Sequence, residues 1–173
     1  LQQEQSFAIA YIDIDNFKPY NDQYGYSKGD LVIELLAQII QSAVDPTQDF
    51  VGHIGGDDFL LVLSSKDWRK RLHQLQEDFQ GQCRRFYRPE HLQAGCFSAT
   101  NRQGQRQEFG LLTLSIGVVH LHPQACAQLD ASQLAELASQ AKHHAKGVPG
   151  YSLHIVDTLL TNNQSPNSAA RAS

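Results

Sequence analysis

Apolar positions along the chain fall into two kinds of run. Phe7–Ala–Ile–Ala–Tyr–Ile12 is a strand-length apolar stretch that closes on Asp13-Ile-Asp15. Val51 to Leu63 carries β-branched and large apolar residues on both sides of Gly55-Gly56, a hairpin pattern, because a tight turn needs positive φ. Leu111–Val119 predicts a central strand and Tyr151–Asp157 a closing one. Elsewhere the spacing changes to three and four. Val32, Leu35, Leu36, Ile39, Ile40 and Ala43 predict a helix from about Lys28 to Val44, ended by Asp45-Pro46. Trp68, Leu72, Leu75, Phe79, Cys83 and Phe86 predict a second helix, capped by Ser65. Leu134, Leu137, Ala138, Ala141 and Ala145 predict a third over Ser132–Lys146. A short helix opens at Asn16-Phe17-Lys18, with Pro19 confined to its first turn. Pro89 to Glu108 follows neither period and reads as an irregular insertion, with Asn101–Gly104 as a turn of an extra hairpin. The order βαββαβ plus one closing strand implies an α/β sandwich of helices on a central sheet that contains antiparallel pairs.

The chemistry sits where these runs end. Two strands that finish in carboxylates bring Asp13 and Asp57 together if they are neighbours in one sheet. Hard cations such as Mg2+ are held in this way, by one or two carboxylates with phosphate oxygens completing the shell. Asp57 and Asp58 repel each other at a hairpin tip without a cation or solvent nearby, and a solvated acidic turn is the plain alternative. Asp15 shares a strand face with Asp13, or caps the following turn. Outward-pointing amides at the start of the short helix suit a phosphate, and Lys18 is either a phosphate contact or a surface lysine. Ser27-x-x-Asp30 resembles a capping box, although Asp is a poorer third partner than Glu or Gln. His120 and His122 have a metal-compatible spacing, but exposed histidines at a strand end are the plainer reading. The basic residues Arg69–Arg71, Arg84, Arg85 and Arg88 read as solvated.

Composition narrows the class. The 173 residues are 41% hydrophobic with a formal net charge of −4, which describes one globular domain rather than a disordered or nucleic-acid-binding chain. No apolar run approaches the roughly 20 residues of a membrane helix. Cys83, Cys96 and Cys126 are odd in number and widely spaced, which points to a reduced, cytoplasmic setting. Leu159–Ser173 reads as a polar, mobile tail beyond a domain of residues 1–158.

Ile12-Asp-Ile-Asp-Asn-Phe-Lys-Pro-Tyr-Asn-Asp-Gln-Tyr-Gly-Tyr-Ser-Lys-Gly-Asp30, followed by His53-Ile-Gly-Gly-Asp-Asp-Phe59, resembles the GGDEF domain of diguanylate cyclases. That family condenses two GTP into cyclic di-GMP. The likeness runs from about Phe7 to Tyr151 and includes Ser115-Ile-Gly-Val118. It implies a palm-like nucleotidyl cyclase fold with a mostly antiparallel sheet. By the resemblance, Asp13, the Ile14 carbonyl and Asp57 hold Mg2+ or Mn2+, and Asp57 and Asp58 form the catalytic pair. Asn16, Phe17 and Lys18 meet the triphosphate, and Asn21 and Asp30 read guanine. A carboxylate accepts from both N1–H and the exocyclic amine of guanine, whereas adenine lacks that donor pair. Lys146 takes the family's phosphate lysine, and the arginine expected four residues on falls at Gly150. Asp58 replaces the family's Glu with a carboxylate one methylene shorter. His53 stands at a position often occupied by Arg. The Arg-x-x-Asp product-inhibition site has Pro46 for its arginine and keeps only Asp49. The family's Asp-x-Leu-Thr-Gly-Leu-x-Asn-Arg opening segment is absent from the 173 residues, so the resemblance implies a longer parent with a sensory or regulatory module. Two copies must face each other for catalysis, because one chain binds one GTP.

Overall fold

A computed structural model describes residues 6–101, 103–122, 130–146 and 153–157. Cys126, Gly150, the start of the closing strand and the tail lie outside the described residues. Strand β1 (Phe7–Ile14) leads through α1 (Phe17–Tyr24) and α2 (Tyr26–Ala43) to the hairpin of β2 (Phe50–Gly55) and β3 (Asp58–Leu63). Then come α3 (Trp68–Cys83), a 3-10 turn (Arg84–Phe86) and α4 (Pro89–Ala94). A second hairpin, β4 (Cys96–Thr100) and β5 (Arg106–Gly110), precedes β6 (Leu114–Leu121), α5 (Ala131–Lys146) and β7 (Leu153–Asp157).

The main sheet has the order β2-β3-β1-β6-β7. Its pairs are antiparallel except β6 with β7, which α5 connects as a parallel crossover. The sheet is therefore mostly antiparallel with helices on both faces, as the sequence predicted. Side chains alternate across it. Ala8, Ala10, Ile12, Leu61, Leu63, Ile116 and Val118 join the core formed with Val32, Leu35, Leu36, Leu72, Leu75 and Phe79 of α2 and α3. Ile9, Val119 and Leu121 face the other way and pack with Leu134, Leu137, Ala138 and Ala141 of α5. The two-residue period carries this second stripe past its apolar residues: Tyr11 and Asp13 continue from Ile9, and Asp58 continues the stripe of Leu60 and Val62. The α5 face of the sheet thus turns from apolar to acidic at one end.

Several local expectations are corrected. Helix α3 begins at Trp68 with Asp67 before it, so Ser65 is not its cap; the Ser65 hydroxyl instead accepts from Arg71 at 2.7 Å. Arg71 is not solvated. It donates to Ala43 O and to Asp49, whose side chain is 1% exposed, and so joins the end of α2, the approach to β2 and α3. Ser27 and Asp30 lie inside α2, which starts after Gly25 without a side-chain cap, so no capping box forms. A reciprocal box occurs instead at α5, where Asp130 Oδ1 accepts from Gln133 N and Gln133 Oε1 accepts from Asp130 N. The insertion is ordered as α4 and the β4–β5 hairpin, whose Asn101 side chain accepts from Gln103 N and Gln105 N.

Candidate active site

The β2–β3 turn is offset by one residue from its sequence reading. Gly55 pairs with Asp58, so Gly56 and Asp57 are the two central residues and Asp58 already belongs to β3. Gly56 takes φ 55, which its lack of a Cβ permits. Ile54 is an extra residue between the His53–Phe59 and Gly55–Asp58 pairs, a bulge that bends the strand toward the tip. His53 stacks on Phe59 at 4.5 Å and donates from Nε2 to Gly56 O at 2.8 Å, bracing the turn rather than serving as a ligand.

Because β3 lies beside β1, this turn stands next to the end of β1. Carboxylate oxygens of Asp13, Asp57 and Asp58 lie within 4.8 Å of one another. Asp15 does not join them. Its oxygens accept from Thr113 Oγ1 at 2.7 Å and Ser115 Oγ at 2.6 Å, which pins the end of β1 to β6. Asn16 adopts left-handed backbone, φ 61, which Asn tolerates better than most residues, and donates to Gly110 O at 3.2 Å. The chain thereby swings into α1, and Asn16, Phe17 and Lys18 line one cleft of about 420 Å3 with Asp13, Ile14, Asp57, Asp58 and Lys146. The Lys18 ammonium pairs along α1 with Asp22 at 2.9 Å and does not reach the acids.

Two other ammonium groups do. Lys146 Nζ is 3.0 Å from Asp13 Oδ1, and Lys142 Nζ is 2.9 Å from Asp58 Oδ1. Lys142 is also held 2.9 Å from Tyr11 Oη, over the Tyr11 ring. Lys142 and Tyr11 were not singled out from the sequence. The signal was present, since residues four apart share a helix face. A lysine followed four residues on by a second cation is met by Lys142 and Lys146, one turn before Lys146 and Gly150.

The charge balance is tight. Burial, then a hydrogen bond with Asp58, pushes the Asp13 carboxyl up to about 7 despite Lys146. Burial, with Asp58 adding to it, also raises Asp57. Burial opposes ionisation of Asp58 too, but hydrogen bonds from Asp13 and Lys142 outweigh it and hold Asp58 below the usual carboxylate range. Crowded carboxylates of this kind fit a hard divalent cation, which would relieve their mutual repulsion.

The guanine-reading pair is placed differently. Asn21 and Asp30 are not among the residues of this cleft. Asn21 Oδ1 is buried without a hydrogen-bond partner against Gly29, where a Cβ would stand 1.8 Å away, and Asp30 is exposed on α2.

A mostly antiparallel sheet that brings two acidic strand ends together beside a helix N-terminus defines a palm-like nucleotidyl cyclase domain. The sequence profile of the family "Diguanylate cyclase, GGDEF domain" matches residues 1–148, and the chain belongs to that family. A diguanylate cyclase of Vibrio cholerae is 41% identical over 69 residues, 40% of this chain and 21% of that protein. DgcS of Shewanella oneidensis is 28% identical over 145 residues, 84% of this chain and 40% of that protein. The chain thus spans less than half the length of these curated relatives. The active GGEEF domain of a Vibrio cholerae diguanylate cyclase superposes with a TM-score of 0.56 at 27% identity, covering 87% of this chain and 83% of that one. The GGDEF domain of DgcB from Caulobacter crescentus, in complex with c-di-GMP, shares the fold with a TM-score of 0.59 at 20% identity, covering 87% and 78%. Among the described residues no helix is long and apolar enough to cross a membrane.

Proposed function

We propose that the chain is a diguanylate cyclase domain that condenses two GTP into cyclic di-GMP with release of pyrophosphate. The observation that carries this reading is the convergence of Asp13, Asp57 and Asp58 within 4.8 Å, in one cleft with the start of α1 and Lys146. Asp13, Asp57 and the Ile14 carbonyl would hold the divalent cation. When bound, Mg2+ or Mn2+ supplies positive charge against the phosphate oxygens and favours ionisation of the attacking 3′-hydroxyl. The α1 amides at Asn16–Lys18 and the ammonium groups of Lys142 and Lys146 take the triphosphate. Asp58 completes the catalytic pair with Asp57. Asp30, exposed on α2, takes the donor edge of guanine, and Asn21 joins it only if its buried amide turns out from Gly29. Each chain carries one GTP, so two copies face each other and each hydroxyl attacks the α-phosphate bound by its partner.

A second reading is a GTP-binding module that regulates an attached domain without turnover. It is favoured by Asp58, which has a shorter side chain than Glu and is committed to Lys142. Incubation of the protein with GTP and Mg2+, with cyclic di-GMP read by mass spectrometry, separates the two. Product that disappears in Asp57→Ala supports the cyclase. GTP binding without product at any protein concentration supports the module, and a gain of product in Asp58→Glu would assign the limit to that methylene. Absence of GTP binding overturns both.

A further inference from the structure

We propose that Lys142 and Lys146 are the site's own counter-ions, and that a divalent cation enters by exchanging with them, so that the site takes the cation only together with a polyphosphate. The inference rests on the metal-dependent GTP binding proposed above and goes beyond it by assigning the lysines a role before substrate arrives.

The two ammonium groups sit on carboxylates of the cluster itself, Lys146 at 3.0 Å on the ligand Asp13 and Lys142 at 2.9 Å on its neighbour Asp58. A cation held among these carboxylates, whose oxygens lie within 4.8 Å of one another, would stand within a few ångströms of both nitrogens. Like charges at that separation repel strongly enough to change an affinity by tenfold or more. The cation and the lysines therefore compete for the same carboxylates. Charge counting gives the consequence. Cation binding needs the three carboxylates ionised; with the two ammonium groups they then sum to −1, and a divalent cation makes the cluster +1. With the lysines displaced from the carboxylates, the compensating anion has to be a ligand. A nucleoside triphosphate supplies it, and the freed ammonium groups turn toward its phosphates. Lys18 lines the same cleft but is engaged by Asp22, so it is not part of the exchange.

The two lysines are tethered differently. Lys142 is 25% exposed and stays near the site when it leaves Asp58, because Tyr11 Oη holds it at 2.9 Å. Lys146 is 47% exposed and has the greater freedom to swing. The device is thus one fixed and one movable ammonium group.

The test is Mn2+ binding to the whole chain, read by electron paramagnetic resonance with and without a non-hydrolysable GTP analogue. Lys142→Met and Lys146→Met keep the apolar stems, and Lys66→Met, beyond the other end of β3, is the control. Without nucleotide, each site variant should bind Mn2+ roughly tenfold more tightly than the unmodified protein, while the control stays unchanged. With Mn2+ present, the same variants should bind the analogue roughly tenfold more weakly. The opposite signs are the signature. If the unmodified protein binds Mn2+ and analogue together but neither variant gains Mn2+ affinity alone, the exchange is overturned and the metal reading survives. If the unmodified protein binds neither, the metal reading fails and the exchange with it. Thermal melts check that the variants fold. In the unmodified protein, 15N resonances of the lysine ammonium groups should move on adding Mg2+ with the analogue, and unmoved resonances would also overturn the exchange.

Discussion

A Cβ built on Gly117 would stand 2.4 Å from the carbonyl carbon of Ala141, the residue before Lys142. Gly117 pairs with Tyr11 across β1 and β6, so this close approach of α5 to the sheet lies beside the tyrosine that holds Lys142. Gly117→Ala should force α5 away from the sheet and cost about 1–3 kcal/mol by overpacking. A chain of this size loses roughly 2–4 °C in Tm per kcal/mol. Thermal unfolding measures the loss, and an unchanged Tm would mean that α5 is not held this closely.

Asp49 and Arg71 form a pair whose side chains are 1% and 17% exposed. Burial opposes the Asp49 charge, but hydrogen bonds from Arg71, Asp45 N and Ser64 N outweigh it and lower its pKa. A lowered carboxylate contributes stability above its unfolded value of about 3.9 and loses it as pH falls through the folded value. Asp49→Asn should therefore cost about 3 kcal/mol at pH 7, and the difference should shrink below pH 4. Urea unfolding at several pH values checks this.

The same pair bears on feedback. Pro46 carries no charge for a cyclic dinucleotide phosphate, and Asp49 is already engaged. Titration calorimetry with cyclic di-GMP should find no site that depends on Asp49. A micromolar site abolished by Asp49→Ala would refute this.

Asp13 would give cation binding at the proposed site a pH dependence. Raised to about 7 by burial and by Asp58, it is protonated below that pH and ionised above it. Proton and cation compete for it, so Mn2+ should bind more weakly at pH 6 than at pH 8, by roughly tenfold. Asp13→Asn should flatten the profile. A flat profile in the unmodified protein would contradict the raised value.

The proposed reading places base choice at Asp30 on α2. GTP should bind at least about tenfold more tightly than ATP, because ATP leaves the Asp30 carboxylate unsatisfied. Asp30→Ala should narrow that ratio in equilibrium binding. Equal affinities in the unmodified protein would remove Asp30 from base recognition.

Much of this architecture was legible because it follows a short period. The apolar run Phe7–Ile12 and the helical spacing of Val32, Leu35, Leu36 and Ile39 are local patterns, and each implies burial against the core. The Asp13–Asp57 convergence was legible from two strand ends and a family resemblance. What escaped depended on pairs distant in sequence. Nothing near Arg71 announces that it reaches Asp49, 22 residues earlier, and nothing near Asp15 points to Thr113. Lys142 escaped for another reason: reading α5 by its apolar face passes over a cation that leans across that face onto Tyr11. Ser65 had the residue type of a cap but stood three residues before the first helical turn.

The Asp15 latch also governs when the site exists during folding. Asp13, Asp57 and Asp58 leave the ribosome long before Thr113 and Ser115, which hold the end of β1, and before Lys142 and Lys146, which neutralise the acids. A growing chain that has made only the first 64 residues carries the full set of acids with neither brace nor counter-charge. Loop closure over roughly 100 residues must come first. The candidate site is therefore completed late, and a stalled or truncated chain lacking β6 and α5 would have the signature motif without its brace and counter-charges.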